Sequence, residues 1–236
     1  LVSGNLSNTI NLTKTAGNTY STVSAIPAQT DGVAVYYKIE ATDDSSDVAI
    51  TSVLSYVVND ETTNTIFFED FETSTADAPI SINNWMRYEE AGTKTWEGRL
   101  YNSNKYAQFS AYNSGETSNI SWLITPAIDL TDYAIADFSF ISKDGFNNGE
   151  VLTVLISTNY SGTGNPALST WNNLNPVLAS GTSSGYATNF TESGVIDISS
   201  YCGNTIFIAY KYVGGDPSKT TTMQIDNISL NGTIAT

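Results

Sequence analysis

Glu150-Val-Leu-Thr-Val-Leu-Ile-Ser-Thr158 is a run in which β-branched and apolar residues recur with period two. It is too short and too β-branched for a helix, and it reads as a strand with one buried face. The same pattern returns in Val33-Ala-Val-Tyr-Tyr-Lys-Ile-Glu-Ala41 and in Thr205-Ile-Phe-Ile-Ala-Tyr-Lys-Tyr212. Thr, Ser, Asn, Tyr, Val and Ile recur between Gly, Asn and Asp turns, and no long stretch carries helical periodicity. Many short strands between turn clusters predict an all-β chain built of sandwiches rather than α/β units.

The 236 residues suit two modest domains, and a hydrophobic content of 40% supplies real cores. A short polar run, Asn59-Asp-Glu-Thr-Thr-Asn64, separates the strand at 53–58 from the apolar start Ile66-Phe-Phe68. That places the domains at 1–60 and 65–233. No apolar run approaches the roughly 20 residues of a membrane span, so no membrane insertion is expected. The first residues lack a basic segment followed by an apolar one, which makes Leu1 a processed or excised start.

Acidic side chains number 24 against 9 basic ones, for a net charge of −15. Such a surface repels phosphate backbones, which argues against nucleic acid as a partner. It favours solubility and hard cations such as calcium, which take clustered oxygen ligands. The single cysteine, Cys202, excludes an internal disulfide and reads as a small buried hydrophobe. With no histidine in the chain, Ser-His-Asp and Cys-His catalysis and His-containing zinc sites are excluded.

Catalysis by two carboxylates needs no histidine. The acidic residues, however, fall mostly in turns (Asp43-Asp44, Asp60-Glu61, Glu89-Glu90) and give no distinct pair. Tyrosine–arginine pairs could support proton abstraction, for example Arg87 and Tyr88. No phosphate-binding glycine loop or zinc-protease motif is present. The expectation is a protein that is not an enzyme.

The first segment runs from Tyr20 through Ile26-Pro-Ala28 and Gly32–Asp43 to Ser55-Tyr-Val-Val58. It resembles the C-terminal part of immunoglobulin-like or fibronectin-III-like modules of bacterial surface proteins, and at this length it reads as N-terminally truncated. Such modules are mostly spacers.

The second segment opens with Phe67-Phe-Glu-Asp-Phe-Glu72 and continues through Asn84-Trp85 and Tyr106-Ala-Gln-Phe-Ser-Ala-Tyr112. Its centre is Ser121-Trp-Leu-Ile-Thr-Pro-Ala-Ile-Asp-Leu130, and it closes on Gln224-Ile-Asp-Asn-Ile-Ser-Leu230. In that order these stretches resemble the cleaved-adhesin, or choice-of-anchor J, type of jelly-roll domain over residues 66–231. Such domains occur in exported proteins of Bacteroidetes-like bacteria. The resemblance implies a non-catalytic jelly-roll sandwich related to carbohydrate-binding modules, secreted or held at the cell surface beside covalently linked neighbouring domains. It also implies calcium where the first and last strands meet. The acidic Asp-Gly-Asp stretch usual after the first Trp is here Arg87-Tyr-Glu-Glu-Ala-Gly-Thr93, which does not supply a second calcium site.

The residues themselves bear on both points. Asp226 is embedded in the otherwise apolar Ile225–Ile228, where a carboxylate is costly unless paired or ligating a cation. In a closing jelly roll it would meet Glu72 and Asp70, so Glu72, Asp226 and Asp70 are the candidate calcium ligands. The other reading is that Asp226 caps a turn while the remaining acids form a solvated rim. Trp96, Tyr101, Tyr112, Trp171 and Tyr186 sit among polar, turn-rich neighbours and are the candidate glycan-binding residues, since sugar rings take flat apolar platforms flanked by hydrogen-bonding groups. The alternative is that they pack beneath loops, as large aromatics such as Trp85 and Trp122 are expected to do. The partner expected is a glycan or a cell-surface protein. Carbohydrate recognition stands beside a protein-binding, assembly or spacer role accessory to a secreted hydrolase.

Overall fold

The computed structural model describes residues 10–16, 19–24, 34–57 and 63–235. The chain divides into two compact units, Leu1–Glu61 and Thr62–Thr236. The stretch 26–28 and the run 59–62 named above lie outside the described residues. No helix among the described residues is long and apolar enough to cross a membrane.

In the first unit, β1 (Leu12–Ala16) pairs antiparallel with β2 (Thr19–Thr22). The strands β3 (Ala34–Tyr37), β4 (Glu40–Thr42), β5 (Val48–Ile50) and β6 (Leu54–Val57) form one interrupted hairpin. Its inner pair is β4 with β5 and its outer pair β3 with β6. The tip is a side-chain-capped turn in which Asp43 Oδ1 accepts from the backbone N–H groups of Ser45 and Asp47, each at 2.9 Å. Thr51 bonds back to Ile39 through both N–H and hydroxyl, which bridges the interruption. Tyr36, Ile39, Val48 and Ile50 are exposed.

The second unit contains β7 (Thr63–Glu69), β8 (Ala78–Pro79), β9 (Met86–Ala91), β10 (Glu97–Tyr101) and β11 (Asn104–Phe109). After them come β12 (Asn119–Ile124), β13 (Ile128–Asp129), β14 (Tyr133–Gly145), β15 (Leu152–Ser157) and β16 (Asn172–Asn173). The last four are β17 (Thr191–Glu192), β18 (Ile196–Asp197), β19 (Thr205–Gly214) and β20 (Thr222–Ile234). A seven-stranded sheet runs β10-β11-β20-β14-β17, with β18 also on β14 and β7 also on β20. A six-stranded sheet runs β16-β15-β19-β12-β9, with β13 on β19. The unit is a β-sandwich, all-β as the alternation predicts.

Alternation along each strand sends one set of side chains between the sheets. Ala107 and Phe109, Met223 and Ile225, and Phe138 and Phe140 enter from the seven-stranded sheet. Leu123, Val154, Ile156, Ile208, Tyr210 and Tyr212 enter from the other. Fully burying each large apolar side chain stabilises the fold by about 1.5–3 kcal/mol. The first and last strands of the unit lie side by side, from Thr63 opposite Thr233 to Glu69 opposite Ile228. Cys202 is half-buried and packs against the core, which pushes its thiol up.

A second apolar cluster lies on the opposite face of the six-stranded sheet. Trp122 and Ile124 of β12 and Phe207 and Ala209 of β19 meet Tyr160 there, with Trp171 packed alongside. The segment following β15 is therefore drawn down onto the sheet by two aromatic rings.

Candidate functional site

The face of the seven-stranded sheet turned away from the core carries the polar residues of β10, β11, β20 and β14. The register sets them in rows. Arg99 lies opposite Tyr106, and Glu97 opposite Gln108. Gln108 lies opposite Gln224, and Gln224 opposite Lys143. Thr222 lies opposite Gly145. Neighbouring rows are stitched by side-chain hydrogen bonds: Gln224 Nε2 donates to Gln108 Oε1 at 2.9 Å, and Thr222 Oγ1 to Ser110 Oγ at 2.9 Å.

Two aromatic rings from the segment between β15 and β17 lie over this floor. Phe190 meets Tyr106 edge-on at 6.1 Å and lies 5.3 Å from the Lys143 ammonium. Tyr186 pairs by backbone with Gly145, and its ring occupies the space where a Gly145 side chain would project. Phe146 braces Tyr186 edge-on at 5.3 Å. Tyr106, Gln224 and Thr222 are buried beneath these groups, while Gln108, Ser110, Lys143 and Phe190 are half-buried and Tyr186 is 47% exposed. Burial holds the Tyr106 phenol above its usual range, and the Tyr186 phenol nearby adds to the shift. Arg99 closes the β10 side, gripped by Asp77 and by Glu97 at 2.8 Å.

Of the five aromatics expected to bind sugar, only Tyr186 lies in this groove. Tyr112, 71% exposed, follows β11 two residues past Ser110, and its N–H bonds the Ser110 hydroxyl at 3.3 Å. Tyr101, 65% exposed, sits at the β10–β11 turn, at the other end of these strands. Trp171 is half-buried, with its ring 5.5 Å from Trp122 and 5.5 Å from Tyr160 and its indole N–H bonded to the Pro166 carbonyl. Trp96 is a correction: it is 0% exposed and packs on Phe109 at 5.7 Å inside the sandwich. Its polar neighbours Thr95 and Glu97 mislead because adjacent residues of an extended chain face opposite ways. Gln108, Gln224, Lys143, Tyr106 and Phe190 were not anticipated. Their signal was the polar half of the alternation in Tyr106-Ala-Gln-Phe-Ser110 and Thr222-Met-Gln-Ile-Asp226.

The three expected metal ligands lie near one corner, where the charges of Asp70 and Glu72 act on Asp226, without closing into one metal-sized cluster. Beyond β7 the chain turns sharply: Phe71 has φ +55°, its ring is buried against Trp85 at 5.4 Å, and its N–H donates to the Glu69 carboxylate. Burial raises the Glu69 carboxyl above its ordinary value. This turn brings Asp70 and Glu72 toward Asp226, which a bulge at Asn227 (φ +48°) sets on the outer face of β20. Asp226 is 1% exposed, and its oxygens accept from Asn104 Nδ2 at 2.9 Å and from the Asn227 N–H at 2.8 Å. Burial raises its carboxyl to about 6, with the charges of Asp70 and Glu72 adding to the shift.

These oxygens are of the kind a hard cation takes, and a cation would relieve their mutual repulsion. One positive charge already stands at this corner. The Lys105 ammonium donates to the carbonyls of Glu72 and Ser74, each at 2.8 Å, and the Lys105 N–H to Glu72 Oε1 at 2.8 Å. Among the described residues no three His, Cys, Asp or Glu side chains approach closely enough to hold a metal ion by themselves.

Arg87 and Tyr88 do not converge on a common point. The Arg87 side chain bonds the Ile80 carbonyl, Thr95 and Glu89, while Tyr88 packs with the Trp122 cluster on the opposite face of β9.

No protein-family model and no curated protein sequence matches the chain. Among solved structures it is similar to a cleaved adhesin domain of Lys-gingipain from Porphyromonas gingivalis, at 13% identity and a TM-score of 0.47, covering 72% of this chain and 100% of that one. It is also similar to a xylan-binding domain from Paenibacillus barcinonensis, at 11% identity and a TM-score of 0.40, covering 73% and 97% of the two chains. A third is a family 11 carbohydrate-binding module from Clostridium thermocellum in complex with a mixed-linked tetrasaccharide, at 16% identity and a TM-score of 0.39, covering 69% and 97%.

Proposed function

We propose that this protein is a non-catalytic, extracellular binding module that recognises carbohydrate on the outer face of the seven-stranded sheet. The observation that carries the reading is the Tyr186 ring laid over Gly145, on a face whose neighbouring rows carry Lys143, Gln108 and Ser110. A flat apolar ring next to amide, hydroxyl and ammonium groups is what a pyranose takes: its C–H face stacks and its hydroxyls find donors and acceptors. Binding on this face asks no residue to move a proton. Glycan-array screening followed by titration calorimetry tests the reading, with Tyr186→Ala as the control. Retention of a glycan by the parent and loss of about tenfold or more in the variant is the expected result, in the range of a lost aromatic contact. Unchanged affinity in the variant would remove the groove from the account.

Calcium enters this proposal in a structural role at the corner of Glu72, Asp226 and Asp70, which would have to close up around it and whose negative charges it would offset. Thermal melts with calcium and with chelator test it, and an unchanged midpoint overturns it.

A second reading is a protein-binding, assembly or spacer role for the first unit, taken as part of an immunoglobulin-like module. It is favoured by the exposed Tyr36, Val48 and Ile50 on two-stranded ladders, because such ladders are marginal without a covering partner.

A further inference from the structure

We infer that the groove is selective for acidic glycans, with the Lys143 ammonium as the group that pairs with an anionic substituent on the sugar. The inference rests on the carbohydrate reading and adds the class of sugar.

The argument begins with charge. On a protein of net charge −15 with 9 basic side chains, an anionic ligand is disfavoured wherever a local positive charge does not offset the field. Two basic residues lie on the groove face, and they differ. The Arg99 guanidinium is held by both Asp77 and Glu97, so that cluster carries no positive charge to offer. Lys143 has no carboxylate within ion-pair distance among the described residues. Its ammonium donates to the Thr188 carbonyl at a long 3.3 Å and lies 5.3 Å from the Phe190 ring centroid. An ammonium so placed keeps donor capacity for a ligand.

Its position is set by the sheet. Lys143 stands opposite Gln224, and Gln224 opposite Gln108, while Gly145, two residues on along β14, carries the Tyr186 ring. Gln108 accepts from Gln224 through its oxygen, which leaves its own amide N–H groups as donor capacity for a ligand. A sugar stacked on Tyr186 therefore finds an ammonium one row away and an amide donor beyond it. That set complements a pyranose bearing a carboxylate or a sulfate ester better than a neutral one. Such contacts are charge-assisted hydrogen bonds, about twice the strength of neutral ones.

Calorimetry and affinity electrophoresis with polygalacturonate, its carboxyl-reduced counterpart, a sulfated galactan and neutral xylan test the inference. The acidic polymers are expected to bind about tenfold more tightly than the neutral ones at low salt, as a charge-assisted bond allows. Preference for polygalacturonate or for the sulfated galactan tells carboxylate from sulfate. Lys143→Gln, which keeps most of the stem, should abolish the preference, bringing acidic and neutral polymers to similar affinity. Lys143→Arg should restore it. Equal affinity for reduced and unreduced polymer, or a preference that survives Lys143→Gln, overturns the inference and leaves the carbohydrate reading standing. Absence of binding to every polymer, acidic and neutral, sinks the carbohydrate reading itself.

Discussion

A Cβ added to Gly145 would lie 2.4 Å from Cδ1 of the Tyr186 ring, so the ring occupies the seat that this glycine leaves vacant. The glycine is there for its missing side chain, since a neighbouring aromatic covers the gap. Gly145→Ala is therefore expected to push the ring off the sheet. Overpacking of this kind costs about 1–3 kcal/mol, and glycan affinity should fall as far as it does in Tyr186→Ala. Tyr186→Phe, which keeps the ring, should retain most of the affinity. Titration of the three variants beside thermal melts separates lost binding from lost stability. Full affinity in a folded Gly145→Ala protein would show that the seat does not matter.

The buried Asp226 carboxylate predicts an unusual pH dependence. Its carboxyl is raised from an ordinary 3.8 to about 6, burial being the main cause. Between those values the folded protein binds more protons than the unfolded chain, so this group makes stability fall as pH rises through the window. Asp129 and Asp197 act in the opposite direction below it, since hydrogen bonds from Thr131 and Ser199 lower their carboxyls. In the absence of calcium, Asp226→Asn should flatten the decline between pH 4 and 6 and raise the melting temperature at pH 7. Calcium, if it binds here, favours the ionised form and should stabilise the parent more at pH 7 than at pH 5. A decline unchanged in Asp226→Asn would assign it to another group.

Much of this architecture is legible in the sequence because period-two alternation reports strands directly. The stretch from Glu150 to Thr158 contains β15, and the stretch from Thr205 to Tyr212 lies within β19. An acid inside an apolar strand demands company, and the company Asp226 finds is Asn104 and the Asn227 N–H, while Asp70 and Glu72 act on it only through their charge. The polar arrangement on the outer face of the seven-stranded sheet was not legible. Alternation tells that two faces exist but not what stands across each from a given polar residue, so nothing in the sequence singles out Gln108 or Gln224. Lys143 acquires meaning only from the register that sets it opposite Gln224. Trp96 and Trp171 sit in equally polar sequence, yet one enters the core and the other folds back onto Trp122. Local composition cannot separate those outcomes from an exposed platform.

Trp96 makes its own prediction. Its ring is enclosed in the core, and its indole N–H is buried without a hydrogen-bond partner. Trp96→Ala should cost about 3–5 kcal/mol, as other large aromatic truncations do. Trp96→Phe loses volume but also removes a buried unpaired donor, so the two effects oppose and the loss should be much smaller. Neither change should alter glycan affinity in the folded fraction. Denaturant melts at constant slope, with binding measured on the same preparations, check both points.

On the other sheet, Lys211 lies 4.3 Å above the Trp122 ring, and Glu90 joins both. The Trp122 indole N–H donates to Glu90 Oε2 at 2.9 Å, and the Lys211 ammonium pairs with the same oxygen at 3.4 Å. The lysine thus shields one side of a ring that Trp171 and the rest of the cluster cover elsewhere. Partial exposure of Lys211 and Glu90 limits the ion pair to the few tenths of a kcal/mol usual near a surface, so the ring contact should be the larger share. A double-mutant cycle of Lys211→Met and Trp122→Phe is expected to show a coupling of about 0.5–1 kcal/mol, the range of such contacts where water has access. A cycle of Lys211→Met with Glu90→Gln should show less. Full additivity of Lys211→Met and Trp122→Phe would mean that the ammonium gains nothing from the ring, and the cluster would then be held by aromatic packing alone.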